Sequence, residues 1–269
     1  TVKRDGTGLL NVSAAISAAF DVFDIAWSPV GARLAFETVR EGYPYDGHVF
    51  TTDGAGSPAF EVSLPNSSAR SIVWRPDGQK IAYRDYDGVA QTLRLTDPTT
   101  GVSTLLATLS GNVTSIADDI TWSPDGSHVA YRAGEWGDAG SSDDHFRLFD
   151  VKPGEPPVLL STSVFGPAGH VGYYAWSSDG QRVAFSCELV NGDASGVYTA
   201  PAVGGGDVLE SSPAADARYF RFSSDASVLV WREGYDTGDH RLFGAESGGT
   251  TPLLPSTPAY TDVNAFAPR

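Results

Sequence analysis

The chain has 269 residues, 41% of them hydrophobic, which is enough to bury a sizeable core and excludes an intrinsically disordered protein. Asp and Glu number 33 against 18 Lys and Arg, and the formal net charge of −15 argues against nucleic acid as a partner and against a polybasic membrane-surface role. No apolar run approaches the roughly 18 residues of a membrane-spanning helix, and a single cysteine, Cys187, excludes a disulfide framework and a cysteine-based zinc site.

The sequence begins at Thr1 and contains no methionine, which predicts a mature chain whose leader is absent. Residues 3–13, KRDGTGLLNVS, align with TTDGAGSPAFEVS at 51–63 and read as the last two strands of a repeat. The apolar stretch at 11–20 lacks a charged flank and a cleavage site, so it does not read as a signal peptide. Five copies of one pattern follow: DIAWSPVGARLAF (24–36), SIVWRPDGQKIAY (71–83), DITWSPDGSHVAY (119–131), YYAWSSDGQRVAF (173–185) and YFRFSSDASVLVW (219–231). Their aromatic anchors Trp27, Trp74, Trp122, Trp176 and Phe222 are spaced by 47, 48, 54 and 46 residues, and Phe266 in a truncated sixth copy lies another 44 on.

Each copy predicts four strands. The first ends at the anchor, a D-G turn reverses it, and the second alternates around pairs such as Ile81 and Tyr83. After a polar loop comes a third strand (HVFTTDG, TLRLTDPTTG, FRLFDVKPG, VYTAPAVGGG, RLFGAESGG), then a Gly-rich turn and a fourth (AFEVSL, STLLATL, PVLLST, DVLESS, TPLLPS). No segment carries sustained helical periodicity with caps. Four strands in about 45 residues is the arithmetic of a propeller blade. The expected fold is therefore an all-β, single-domain β-propeller over 1–269, with blades at 24–64, 71–109, 119–165, 173–211 and 219–255. Residues 259–269 with 1–13 would form a sixth, closing blade that pairs otherwise exposed edges; five blades is the alternative.

The recurring W-S-P-D-G-x-x-(I/V)-A-(F/Y) pattern resembles the repeats of TolB-like propellers, which are loosely related to WD-type repeats, over nearly the whole chain from Lys3 to Pro268. The resemblance implies a bacterial periplasmic scaffold, or a gating domain of the kind attached to prolyl-oligopeptidase-type hydrolases. No segment corresponds to the amino-terminal α/β domain of TolB or to a hydrolase domain.

If the D-G turns mark one face, the connections between second and third strands (37–47, 84–90, 132–144, 188–195 and 232–239) lie on the other, where variable loops usually carry recognition. REGYPYDGH (40–48), RAGEWGDAGSSDDH (132–145) and REGYDTGDH (232–240) repeat an arginine, an aromatic, acids and a histidine there. Arg40, Tyr43, Tyr45, Asp46, Tyr86, Arg132, Trp136, Arg232, Tyr235 and Asp236 are thus the candidate partner-binding residues, because Tyr, Trp and Arg dominate interface hot spots. The bland reading has Arg84, Arg132 and Arg232 bridging acids within their own blades. His48, His145 and His240 open equivalent third strands, too far apart in a ring to share a metal ion. Asp138, Asp143 and Asp144 are weak calcium candidates, lacking the closing acid of an EF-hand. Asp118 and Asp119 are the candidates for acids at a central channel. No G-x-S-x-G and no phosphate loop occurs, so neither a serine nucleophile nor a nucleotide cofactor is expected.

These residues predict a non-catalytic, exported scaffold, periplasmic or extracellular, that binds a protein or peptide through an acidic, aromatic loop face. A cationic partner suits the charge, a polysaccharide could use the same groups, and nucleic acid and membrane insertion are not expected. No cofactor is expected; a structural Ca2+ in the longest loop is the alternative. The alternative is enzymatic: a glycoside hydrolase, with acids converging about 5–10 Å apart, or an accessory propeller of a larger hydrolase.

Overall fold

Proline two residues after an anchor cannot donate to a ladder, and the first strands of the first three repeats stop at Trp27, Trp74 and Trp122. A computed structural model describes residues 11–14, 16–40, 42–109, 115–135, 145–162, 169–189, 196–211, 217–234, 241–246 and 252–253. Among them there are strands and turns but no helix. By backbone contacts the chain divides into two compact units, Thr1–Trp122 with Val151–Pro156, and Ser123–Asp150 with Pro157–Arg269.

Unit one holds two complete sheets. The first runs β1 (Phe20–Trp27), β2 (Leu34–Arg40), β3 (Tyr43–Thr52) and β4 (Phe60–Glu61); the second runs β5 (Ser68–Trp74), β6 (Ile81–Tyr86), β7 (Gln91–Thr96) and β8 (Ser103–Thr108). Both are antiparallel meanders in sequence order. Their core is small and closely seated: Val49, Val62, Ala69 and Tyr83 form one buried cluster, and Ala35, Trp74 and Ile81 another. The first strand of the third repeat is broken into β9 (Ser115–Ile116) and β10 (Thr121–Trp122).

The third sheet continues with β11 (Val129–Glu135), β12 (His145–Val151) and β13 (Val158–Leu159), in the order β10-β11-β12-β13 with β9 also beside β11. Unit two then holds β14 (Gly169–Trp176), β15 (Arg182–Leu189), β16 (Gly196–Pro201) and β17 (Val208–Leu209), and β18 (Arg218–Phe222), β19 (Val228–Glu233), β20 (Arg241–Glu246) and β21 (Pro252–Leu253), again in sequence order. Its clusters centre on Leu148, Tyr174 and Phe185, and on Phe220, Leu229 and Trp231.

The hairpin after each anchor is built the same way. The amide after the anchor donates to the carbonyl five residues on, as in Arg75 to Lys80 at 2.9 Å and Ser123 to His128 at 2.9 Å. The turn glycine is left-handed, with φ of 70° at Gly78, 71° at Gly126 and 69° at Gly180, a region open to glycine without steric cost. The fifth repeat puts Ala226 there instead, at φ 60°. Aspartate locks the turn: Ser123 Oγ donates to Asp125 Oδ1 at 2.6 Å, and Ser223 Oγ to Asp225 Oδ1 at 2.6 Å. Those hydroxyls, with the Ser127 amide and hydroxyl and their Ser227 counterparts, hold both carboxyls down at about 2.

Two sequence expectations are corrected. The 37–47 connection is not an open loop: β2 runs through Arg40 and β3 starts at Tyr43, so the two strands form a nearly continuous hairpin. Strands likewise extend to Tyr86, Glu135, Leu189 and Glu233. Paired backbone therefore carries Glu37, Asp85 and Glu233 into the interior, where each is under a tenth exposed, and not onto a solvated rim.

Candidate functional site

The three look-alike motifs do not share one register. Arg132 and Arg232 lie ten residues after their anchors, but Arg40 lies thirteen after Trp27, and the equivalent of Arg132 in the first repeat is Glu37. This position reaches forward to the next repeat. Glu37 Oε1 accepts from the Ile72 amide at 2.7 Å, Arg84 Nη1 donates to the Ile116 carbonyl at 2.6 Å, and Arg132 Nη1 donates to the Val171 carbonyl at 2.8 Å. Arg84 and Arg132 are therefore brackets between successive repeats, and their carbonyl partners lie outside their own blades. Arg84 also pairs through Nη2 with Asp118 Oδ1 at 2.7 Å, and Ser71 Oγ donates to the same oxygen at 2.7 Å.

Charge is concentrated around that seam of unit one. Asp24 and Glu37 stand opposite each other across β1 and β2, and Arg70 and Arg84 across β5 and β6. Burial pushes the Glu37 carboxyl up; the Ile72 amide and the Arg70 charge resist this, and the Asp24 and Asp118 carboxylates add to it. Burial also lowers Arg84, against the pull of Asp118. Asp118 itself is 75% exposed at its side chain. Asp119 stands beside it as a half-buried neighbour.

At the β2–β3 hairpin, Arg40 Nη1 and Asp46 Oδ2 are 3.6 Å apart, and Asp46 Oδ1 lies 3.0 Å from His48 Nε2. His48 Nδ1 faces Glu61 Oε1 at 2.7 Å. Both ring nitrogens meet carboxylates on opposite edges, which ties the hairpin together but cannot converge on one metal ion. Tyr43 and Tyr45 lie in β3. Tyr86 donates its hydroxyl to the Gly88 carbonyl at 3.0 Å, closing its own turn. Arg232 stacks 4.6 Å from the ring centre of Tyr219, and Arg132 lies 5.5 Å from that of Phe146. Trp136, Asp138, Asp143, Asp144, Tyr235 and Asp236 lie outside the described residues. No group of three or more His, Cys, Asp or Glu side chains is arranged to hold a metal among the described residues.

A different set of side chains is presented to solvent. The first strands carry β-bulges, between Val22 and Asp24, Arg70 and Val73, Val171 and Tyr174, and Arg218 and Arg221. A bulge re-aims side chains, and here it turns rings outward. Phe23 in unit one is 70% exposed, and Tyr173 and Tyr219 in unit two are 47% and 41% exposed. Ser71 and Tyr219 sit at left-handed φ of 60° and 53°. Arg70 lies 5.9 Å from the Phe23 ring centre, and its charge acts on the Glu37 carboxyl together with those of Asp24 and Asp118, so unit one offers ring and cation together near carboxylates. These positions lie three or four residues before each anchor. Their sequences, Phe23–Asp24, Arg70–Ser71, Gly172–Tyr173 and Arg218–Tyr219, look like drift until the bulge is seen.

No protein-family model matches the chain, and no curated protein matches it. Among solved structures, TolB from Acinetobacter baumannii is 17% identical over 86% of this chain and 54% of its own, with a TM-score of 0.46. A puromycin-hydrolyzing peptidase of Mycobacterium tuberculosis is 14% identical over 90% of this chain and 39% of its own, at a TM-score of 0.56. A prolyl endopeptidase is 13% identical over 87% of this chain and 35% of its own, at 0.55. The chain thus spans about half the length of the TolB protein and less than two fifths of either peptidase. The two peptidase likenesses show the fold alone, the β-propeller that the repeats resemble.

Proposed function

We propose that the chain is a non-catalytic, exported binding propeller that engages a protein or peptide partner through outward rings of its first-strand bulges, Phe23 on unit one or Tyr173 and Tyr219 on unit two. The observation that carries this is the exposure of Phe23, Tyr173 and Tyr219 at bulged positions, with arginine against Phe23 and Tyr219. Large rings with few rotatable bonds and an adjacent guanidinium are the chemistry of interface hot spots, and the acidic surface steers a cationic partner toward them. The arginines expected on the loop face support the reading by default: Arg84 and Arg132 hold repeat to repeat and are spent in structure.

Affinity capture from envelope extract tests this. Phe23→Ala/Tyr219→Ala loses the partner bound by wild type, and Arg40→Ala/Tyr86→Ala retains it; the reverse order sinks the proposal. The architecture we propose is six repeats, with 259–269 and 1–13 completing the last. No cofactor is needed, and a melting temperature unmoved by a chelator supports that. A fall would point to calcium at Asp138, Asp143 and Asp144.

A second reading is favoured by the peptidase likenesses, in which the matched part is a minority of the larger protein. In it, this chain is an accessory propeller of a hydrolase. Transcript sequencing that finds a hydrolase domain in the same reading frame would select that reading.

A further inference from the structure

In unit one, like charges stand face to face beside the first-strand bulges. Asp24 and Glu37 are partners across β1 and β2, and Arg70 and Arg84 across β5 and β6, although like charges directly opposite one another destabilise a sheet. Arg84 is neutralised by Asp118 at 2.7 Å. Arg70 is not: beyond the Phe23 ring it makes no hydrogen bond or ion pair among the described residues. Asp24 Oδ1 accepts from the Ile25 amide at 2.8 Å and Glu37 Oε1 from the Ile72 amide at 2.7 Å, while Asp24 Oδ2 and Glu37 Oε2 have no donor among those residues. Glu37 is 2% exposed, and a buried carboxyl oxygen left without a donor is costly. The charges that act on it are those of Asp24, Arg70 and Asp118, and Arg70 links this neighbourhood to the exposed ring of Phe23.

The first sheet thus carries two acceptor oxygens with no donor, and the second carries a cation with no acceptor. Among the described residues no group of three acids is arranged for a metal ion, so the complement is an organic group of both signs. We propose that unit one binds a zwitterionic α-amino acid with an apolar side chain: Arg70 takes the carboxylate, Asp24 Oδ2 and Glu37 Oε2 accept from the ammonium, and the side chain packs on Phe23. A guanidinium fork matches a carboxylate in a bidentate way. The three N–H donors of an ammonium serve both acidic side chains, and an aromatic ring offers a large apolar contact. A purely cationic ligand leaves the Arg70 donors unused and meets their charge, and a purely anionic one meets two carboxyl groups. The inference goes beyond the partner reading by adding a small ligand to the Phe23 face.

The test titrates the full chain with L-phenylalanine, with N-acetyl-L-phenylalanine, which lacks the ammonium, and with L-phenylalaninamide, which lacks the carboxylate. The Arg70 Nε–H and Phe23 ring signals are followed by NMR. L-phenylalanine shifts both and saturates, and each blocked analogue binds at least about tenfold more weakly, the loss of one charge-assisted contact. Arg70→Gln erases the preference for phenylalanine over its amide, Asp24→Asn reduces the preference over the acetylated form, and Tyr219→Ala on unit two changes neither. The three titrations of the unmodified chain decide the matter even if a variant fails to fold. An amide that binds as well as phenylalanine overturns the inference in favour of a cation site, and an acetylated form that does so overturns it in favour of an anion site. No saturable shift with L-phenylalanine overturns it outright. No partner is present in these titrations, so this inference and partner capture can each fail without the other.

Discussion

Replacing Arg84 with alanine separates two accounts of why the repeats carry an arginine at this position. The side chain is 17% exposed, donates to the Ile116 carbonyl at 2.6 Å and pairs with Asp118 at 2.7 Å. A charge-assisted hydrogen bond to a buried carbonyl contributes about 1.5–3 kcal/mol, and losing it strands the acceptor. The ion pair adds little, about 0–1 kcal/mol, because the Asp118 side chain is three-quarters exposed and water screens it. Arg84→Ala is therefore expected to cost about 2–3 kcal/mol, or about 4–5 °C in Tm for a chain of this size. Asp118→Ala is expected to cost under about 1 kcal/mol. Urea unfolding followed by tryptophan fluorescence measures both. If Asp118→Ala proves as costly as Arg84→Ala, the ion pair does the bracing and the carbonyl bracket is wrong.

Other outcomes follow from the same geometry. Gly78→Ala forces a left-handed φ on an L-residue and places a Cβ 2.5 Å from Ser28 Oγ, so it costs at least about 1–2 kcal/mol by chemical denaturation. Glu37→Gln keeps an acceptor for the Ile72 amide and removes a buried charge. Because the Glu37 carboxyl is raised, its contribution is complete below 4.5 and declines as pH rises through the folded value; the glutamine variant flattens that slope and is at least as stable as wild type at pH 7. The turn aspartates have the opposite sign. With Asp125 and Asp225 lowered from 3.8 to about 2, their contribution is present above about 4 and is lost as pH falls toward 2. Asp125→Asn reduces that acid-side loss in pH-dependent melting curves.

Much of the fold was legible because its devices are local. Aromatic-x-Pro ends a first strand, Asp-Gly makes a left-handed turn, and alternation in Ile81-Ala82-Tyr83 marks a buried second strand; each works through neighbours within a few residues. The limits of the strands were harder to read, since polar residues such as Glu37 and Asp85 look like loop residues. Asp85 is instead enclosed, 2.9 Å from Arg94 Nε, and only tertiary contacts supply that partner. The arginine motifs misled for a related reason. Arg40, Arg132 and Arg232 open similar strings, yet Arg40 lies three residues further from its anchor and ends β2, whereas Arg132 and Arg232 lie inside β11 and β19. The bulges were least legible: an extra residue in a strand leaves no spacing signal when repeat lengths already vary from 46 to 54 residues. The outward rings at Phe23, Tyr173 and Tyr219 depend on them entirely.

The claim that these rings meet the partner can be read position by position. A photo-crosslinking phenylalanine analogue at 23 or 219 should join the captured partner on irradiation, and the same analogue at Val89, an exposed residue between second and third strands, should not. Crosslinking at 89 with none at 23 or 219 would contradict the account and return recognition to the loop face.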